Sequence, residues 1–165
     1  MVEQVPLKDK VDGSTPSWPT KFRIKMIGKN YELIEHTADI GIQVKGKDLK
    51  ELFKNAAAAM FDIIAQKQKT ESSGQEKIEI NQKADDLEEL FVNWLNELLS
   101  LSATKELIFS DFKIDKLEEN NLQATATGSD IRNYKVHTEV KAATYHTLKL
   151  EKTPSGWQAE VIFDV

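Results

Sequence analysis

From Tyr31 onward, apolar residues either alternate with polar ones or recur at helical spacing. Tyr31-Glu-Leu-Ile-Glu35 and Ile40-Gly-Ile-Gln-Val44 have the alternating, β-branched character of strands, joined by His36-Thr37-Ala38-Asp39. Gly46 ends the second, and Asp48 stands three residues before Glu51 in the manner of a capping box. The helix this predicts aligns Leu49, Leu52, Phe53, Ala56, Met60, Ile63 and Ile64 on one stripe. Residues 66–75, rich in Gln, Lys and Ser, read as a loop, and Lys77-Ile-Glu-Ile80 as a strand. A second helix follows. Asp85, Asp86, Glu88 and Glu89 crowd its start, where the helix dipole favours negative charge, and Leu87, Leu90, Phe91, Trp94, Leu95, Leu98 and Leu101 form its apolar stripe.

Beyond that helix the period is two: Phe109, Phe112 and Ile114, then Leu122, Ala124 and Ala126, then Val140 to Leu150, then Trp157 to the end. Thr153-Pro-Ser-Gly156 has turn chemistry, so the last two segments are expected to form an antiparallel hairpin. The order of elements predicts an α+β fold with a mainly antiparallel sheet and two principal helices. Residues 1–30 differ. They hold three of the four prolines and few regularly spaced apolar residues, which predicts a flexible, basic extension ahead of a domain spanning 31–165.

Composition narrows the chemistry. With 165 residues and no cysteine, the chain can bury a core without disulfides, and zinc ribbons, iron–sulfur clusters and thiol nucleophiles are excluded. No apolar run approaches the roughly 20 residues of a membrane span, and the start resembles neither a signal nor a transit peptide. A cytoplasmic location is expected, with the nucleus as the second choice. Residues 1–30 carry six basic against three acidic residues, out of 22 and 27 overall, which leaves 31–165 at −8. So acidic a domain is poorly suited to holding a nucleic-acid backbone unaided, because phosphate neutralisation dominates that affinity. Cations and basic protein surfaces suit it better.

Phosphate loops, dinucleotide fingerprints and helical zinc-histidine pairs are all missing from the sequence. His36 and Asp39 share a short turn, where Asp39 either organises the turn through backbone N–H groups or faces a ligand beside His36. The chain ends in the alternating segment Val161-Ile-Phe-Asp-Val165. If that strand is held in a sheet, Asp164 and the Val165 α-carboxylate become two fixed anions, with Asp164 pointing away from the face of Val161 and Phe163. Such a pair is either solvated or neutralised by a cation, and oxygen-only donors favour a hard ion such as Ca²⁺ or Mg²⁺. His146 shares parity with Val140, Ala142, Leu148 and Leu150, so it reads as a satisfied core group or as a partner that orients a metal ligand.

Four segments, in this order, resemble the archease family across roughly residues 31–165. They are Glu35-His-Thr-Ala-Asp-Ile-Gly41, Asp86-Leu-Glu-Glu-Leu90 with Asn93-Trp-Leu-Asn-Glu-Leu-Leu99, Glu139-Val-Lys-Ala-Ala-Thr-Tyr-His146, and Val161-Ile-Phe-Asp-Val165. The resemblance implies an accessory protein of the GTP-dependent tRNA-splicing RNA ligase, one that promotes ligase guanylylation and multiple turnover and is not itself an enzyme. Contact with tRNA would then be indirect, through the ligase. It also implies a divalent-metal site, seen with Ca²⁺ in family members and compatible with Mg²⁺ or Mn²⁺ in function, made here by Asp39, Asp164 and Val165. His36, His146 and Lys141 would support that cluster or contact the partner. Where Thr147 stands, relatives often carry Gly or another small turn residue. Two other functions compete: a stand-alone metal-dependent hydrolase built on His36, Asp39, Asp164 and His146, and a chaperone-like or RNA-binding module, whose direct RNA contact the −8 balance opposes.

Overall fold

A computed structural model describes residues 2–6, 22–26, 31–35, 38–68 and 74–165. In chain order the elements are β1 (Val2–Pro6), β2 (Phe22–Met26), β3 (Tyr31–Glu35), β4 (Ile40–Gly46), α1 (Leu49–Ile64), β5 (Ala65–Lys67), β6 (Gln75–Lys83) and α2 (Leu87–Lys105). They continue as β7 (Leu107–Glu118), β8 (Asn121–Asp130), a 3-10 turn (Ile131–Asn133), β9 (Tyr134–Val136), β10 (Ala142–Thr153) and β11 (Gly156–Asp164). All described pairings are antiparallel. They make a six-stranded sheet β1-β2-β3-β4-β11-β10, a three-stranded sheet β6-β8-β7 and a two-stranded ribbon β5-β9. The expected α+β class with two principal helices is therefore observed, with the strands divided among three sheets.

Both helices start where the sequence predicts. The Asp48 carboxylate accepts the Glu51 N–H at 2.8 Å, and the Asp86 carboxylate accepts the Glu89 N–H at 2.8 Å, each pairing an otherwise orphan donor of the first turn. Glu89 in turn accepts the Asp85 N–H at 2.7 Å, so the acidic run before α2 is capping chemistry. α1 packs on β4 and β7 while α2 packs on β10, β7 and β6, so each helix bridges the two larger sheets. Between them lies an aromatic core. Phe53 meets Phe91 edge-on at 5.1 Å, Phe61 meets Phe109 at 5.6 Å, and Trp94 meets Phe112 at 6.2 Å. Trp94, fully buried, donates its indole N–H to the Phe53 carbonyl at 3.0 Å.

Residues 1–30 contribute the strands β1 and β2; Phe22, Ile24 and Met26 alternate with Arg23 and Lys25, a short period-two pattern that pairs with the β3 edge. Several local expectations need correction. Gln66 and Lys67 belong to β5 and Gln75 to β6, not to a loop, because β5 finds its partner, β9, about seventy residues away. Phe109 and Phe112 both reach the core despite opposite parity, because the β7–β8 register shifts between Phe109 and Asp111. A similar shift lies between Thr144 and Lys149 of β10, with Thr147 at φ 50 inside it. It carries His146 to an exposed position, which overturns its reading as a core group.

Candidate functional site at the chain end

Strand β11 ends between two neighbours, and its last residues are positioned from both sides. On one side Phe163 pairs with Ile40 of β4, the last pair of that ladder, and Asp164 and Asp39 are the next residues along the chain beyond it. On the other side Ala142 of β10 pairs with Asp164 and Ala143 with Phe163. The Lys141 N–H donates to the Asp164 carbonyl at 2.8 Å, and the Thr144 hydroxyl donates to the Ile162 carbonyl at 2.9 Å. Phe163 is fully buried and anchors this end of the strand, whereas Asp164 is exposed, as its parity requires. Val165 is half-buried against the core, and Asp39 is half-buried.

Asp39 stands just before β4 and Asp164 and Val165 at the end of the neighbouring β11, with Lys141 exposed and hydrogen-bonded through its N–H to the Asp164 carbonyl. His36 lies outside the described residues. His146 lies four residues beyond Ala142, within the β10 register shift, and its N–H donates to the Thr144 hydroxyl oxygen at 3.3 Å. Among the described residues, no group of three or more His, Cys, Asp or Glu side chains gathers in a metal-binding arrangement. The end of β11 and the residue before β4 offer two side-chain carboxylates, those of Asp164 and Asp39. An all-oxygen, solvent-accessible donor set fits a hard divalent cation.

In the sequence Asn96 stands in α2 and in the segment Asn93-Trp-Leu-Asn-Glu-Leu-Leu99, with no role of its own. In the structure it reaches β10: its side-chain oxygen accepts the Ala143 N–H at 2.8 Å, and its amide NH₂ donates to the Ala143 carbonyl at 3.1 Å. The one local signal is a polar residue flanking the apolar stripe of Trp94, Leu95 and Leu98, which does not reveal a partner 47 residues away.

Comparison with known proteins extends this geometry. The archease protein family matches residues 31–165 and leaves the first thirty residues outside the match. Protein archease of Methanosarcina barkeri is 43% identical over 144 residues, covering 84% of this chain and 97% of its own length. Protein archease of Pyrococcus abyssi is 41% identical, covering 83% of this chain and 99% of its own length. The solution structure of Methanobacterium thermoautotrophicum protein 1598 superposes with a TM-score of 0.64 at 31% identity, over 82% of this chain and 99% of that one. The crystal structure of an archease from Thermotoga maritima gives a TM-score of 0.56 at 28% identity, over 80% and 94%. With the full length of these relatives matched and the fold shared, the chain belongs to the archease family.

Proposed function

We propose that this protein is an accessory factor of the GTP-dependent tRNA-splicing RNA ligase, promoting guanylylation of the ligase and its multiple turnover, and that it works through a divalent cation held by Asp39, Asp164 and the Val165 carboxylate. Family membership supports the general role. The observation that carries the site is that the β4–β11 ladder ends at the Ile40–Phe163 pair, with an acid, Asp39 or Asp164, next to it on each chain segment. A bound cation would supply positive charge that offsets the two carboxylates. Three carboxylates offer three to six oxygens according to whether each binds through one or both, against the roughly six to eight that Ca²⁺ commonly takes, which leaves room for water or for groups of a partner. Asp39 and Asp164 hold the ion from adjacent strands, and Val165 is kept in place by its packing on the core. Lys141, exposed next to them, offers an acidic partner a charge-assisted contact. The −8 balance of residues 31–165 supports action on the ligase, with tRNA met only through it. No helix of the described residues is long and apolar enough to cross a membrane, and the reading places the protein in the cytoplasm or nucleus with its partner.

The test is RNA joining by the cognate ligase at substoichiometric enzyme, with GTP and Mg²⁺ or Mn²⁺, supplemented with the intact protein, Asp39→Ala or Asp164→Ala. Repeated turnover with the intact protein and none with the two folded variants is the expected result. Equal stimulation by the variants would separate the acidic site from the function. No stimulation at all would remove the ligase role and direct attention to hydrolysis by the isolated protein.

A further inference from the structure

A strand at a sheet edge turns half of its backbone N–H and C=O groups toward no strand partner, and where such a residue is buried those groups need another partner. β10 is an edge of the six-stranded sheet, and Ala143 on it is only 4% exposed. Asn96 supplies both missing bonds, its oxygen accepting the Ala143 N–H at 2.8 Å and its nitrogen donating to the Ala143 carbonyl at 3.1 Å. One side-chain amide thus does for Ala143 what another strand would do.

The position of this clamp gives it a role beyond satisfying one buried residue. The β10–β11 ladder is in two parts: a short one, Ala142 to Thr144, and a longer one from Lys149 to Thr153, separated by the register shift. The longer ladder therefore does not enforce the register of the shorter one. Yet the short part is the one that pairs with Asp164, and the residue before it, Lys141, donates to the Asp164 carbonyl. Residues 137–141, which lead into it, form no strand or helix. On the upstream side they are tied by the His137 and Thr138 N–H groups to the Ile64 carbonyl, and on the downstream side by Asn96.

We propose that Asn96 is the positioning residue of the chain-end site: by clamping Ala143 to α2 it sets the register of Ala142–Thr144 against β11, and with it the placement of Asp164, Val165 and Lys141. What the site binds rests on the reading given above; what Asn96 holds does not. The experiment compares full-length wild type with Asn96→Ala and with Asn96→Asp, which keeps the side-chain shape but sets a carboxylate oxygen against the Ala143 carbonyl. Leu98→Ala, fully buried on the same helix, serves as a control for lost stability. Two quantities are read: hydrogen exchange of the Lys141 N–H relative to core amides of β4, and Ca²⁺ affinity by calorimetry with CaCl₂.

In both Asn96 variants Lys141 exchange should rise about tenfold or more, on the scale of one lost hydrogen bond, with β4 amides unchanged, and Ca²⁺ affinity should fall about tenfold or more. Leu98→Ala should move exchange only in proportion to global stability. Unchanged Lys141 exchange in the Asn96 variants overturns the proposal, even if Ca²⁺ binding weakens, because Asn96 would then act by another route. The same pattern in Leu98→Ala overturns it too. If wild type takes up no Ca²⁺, the metal reading fails and Lys141 exchange alone decides: faster exchange in the Asn96 variants upholds the positioning role.

Discussion

The N–H of Lys141 and the carbonyl of Asp164 are joined across 2.8 Å, tying the residue before β10 to the last residue of β11. On the opposite side of β11, the last pair with β4 is Ile40–Phe163, one residue earlier. The backbone of Asp164 is therefore held from the β10 side while its side chain is exposed, and the residue just before β4 is another acid, Asp39. Like charges brought close on neighbouring chain segments weaken a sheet, and the proposed site would set Asp164 and Asp39 in such an opposition.

This opposition makes a prediction about stability as well as binding. A like-charged cross-strand pair costs about 0.2–1 kcal/mol, so Asp164→Asn should raise metal-free stability by that order, measured by urea unfolding in EDTA. Wild type should gain thermal stability with Ca²⁺, by about 2.7 kcal/mol at a hundred times Kd, and Asp164→Asn should lose that gain. A variant that keeps the full Ca²⁺ shift would place the ion elsewhere.

Features fixed by local chemistry were legible in the sequence. Asp48 and Asp86 cap their helices, the Thr153–Gly156 turn joins β10 to β11, and strand parity put Asp164 on the outer face. Features set by long-range pairing were not. The bulges between Phe109 and Asp111 and between Thr144 and Lys149 each change which residues face inward, and His146 was misread for that reason. β5 and β9 have three residues each, too short for periodicity to register, and exist through their mutual pairing. Of the proposed site, the two acids and the chain end come from the sequence, whereas the bonds of Asn96 to Ala143 depend on a strand edge that only the folded sheet creates.

Thr147 sits at φ 50, in the left-handed region. That conformation costs a residue with a Cβ roughly 1–2 kcal/mol, and glycine relieves it at an entropic cost of roughly 0.5–1 kcal/mol. Thr147→Gly should therefore stabilise the protein by about 0.5–1 kcal/mol, raising Tm by a few degrees at most. A thermal melt checks it, and a lower Tm would mean that the Thr147 side chain makes a contact worth more than the strain.

The glycines should rank by what a methyl group would meet. At Gly156, with φ +146, a Cβ would run into the Gly46 carbonyl oxygen, and at Gly46 it would lie 2.5 Å from the Leu52 nitrogen, so in both cases backbone must move. At Gly41 the nearest atom is the Ile162 Cδ1 at 2.8 Å, the far end of a flexible side chain, and at Gly74 nothing lies within 4 Å. Replacement by Ala should cost roughly 3 kcal/mol or more at Gly156 and Gly46, about 1 kcal/mol at Gly41, and close to nothing at Gly74. Urea midpoints of the four variants test the order, and a mild Gly156→Ala would show that the turn can pull away from the end of β4.

Tyr31 links the sheet to α1: it is buried, and its hydroxyl donates to the Asp62 carboxylate at 3.3 Å. Burial, and secondarily the charge of Asp62, push its phenol well above the ordinary value near 10. The raised value means that the folded state keeps the proton after the unfolded chain has lost it. The stabilisation is then fully present below about pH 10 and is lost as pH rises above it, because the unfolded state binds fewer protons there. At pH 8, Tyr31→Phe should be less stable than wild type by about 0.5–1.5 kcal/mol, the worth of one hydrogen bond. Between pH 10 and pH 12, wild type should lose stability more steeply than the variant, so that the gap narrows. Urea unfolding of both proteins at pH 8, 10 and 11.5 measures this directly. Curves that stay parallel across that range would show that Tyr31 ionises alike in the folded and unfolded chains.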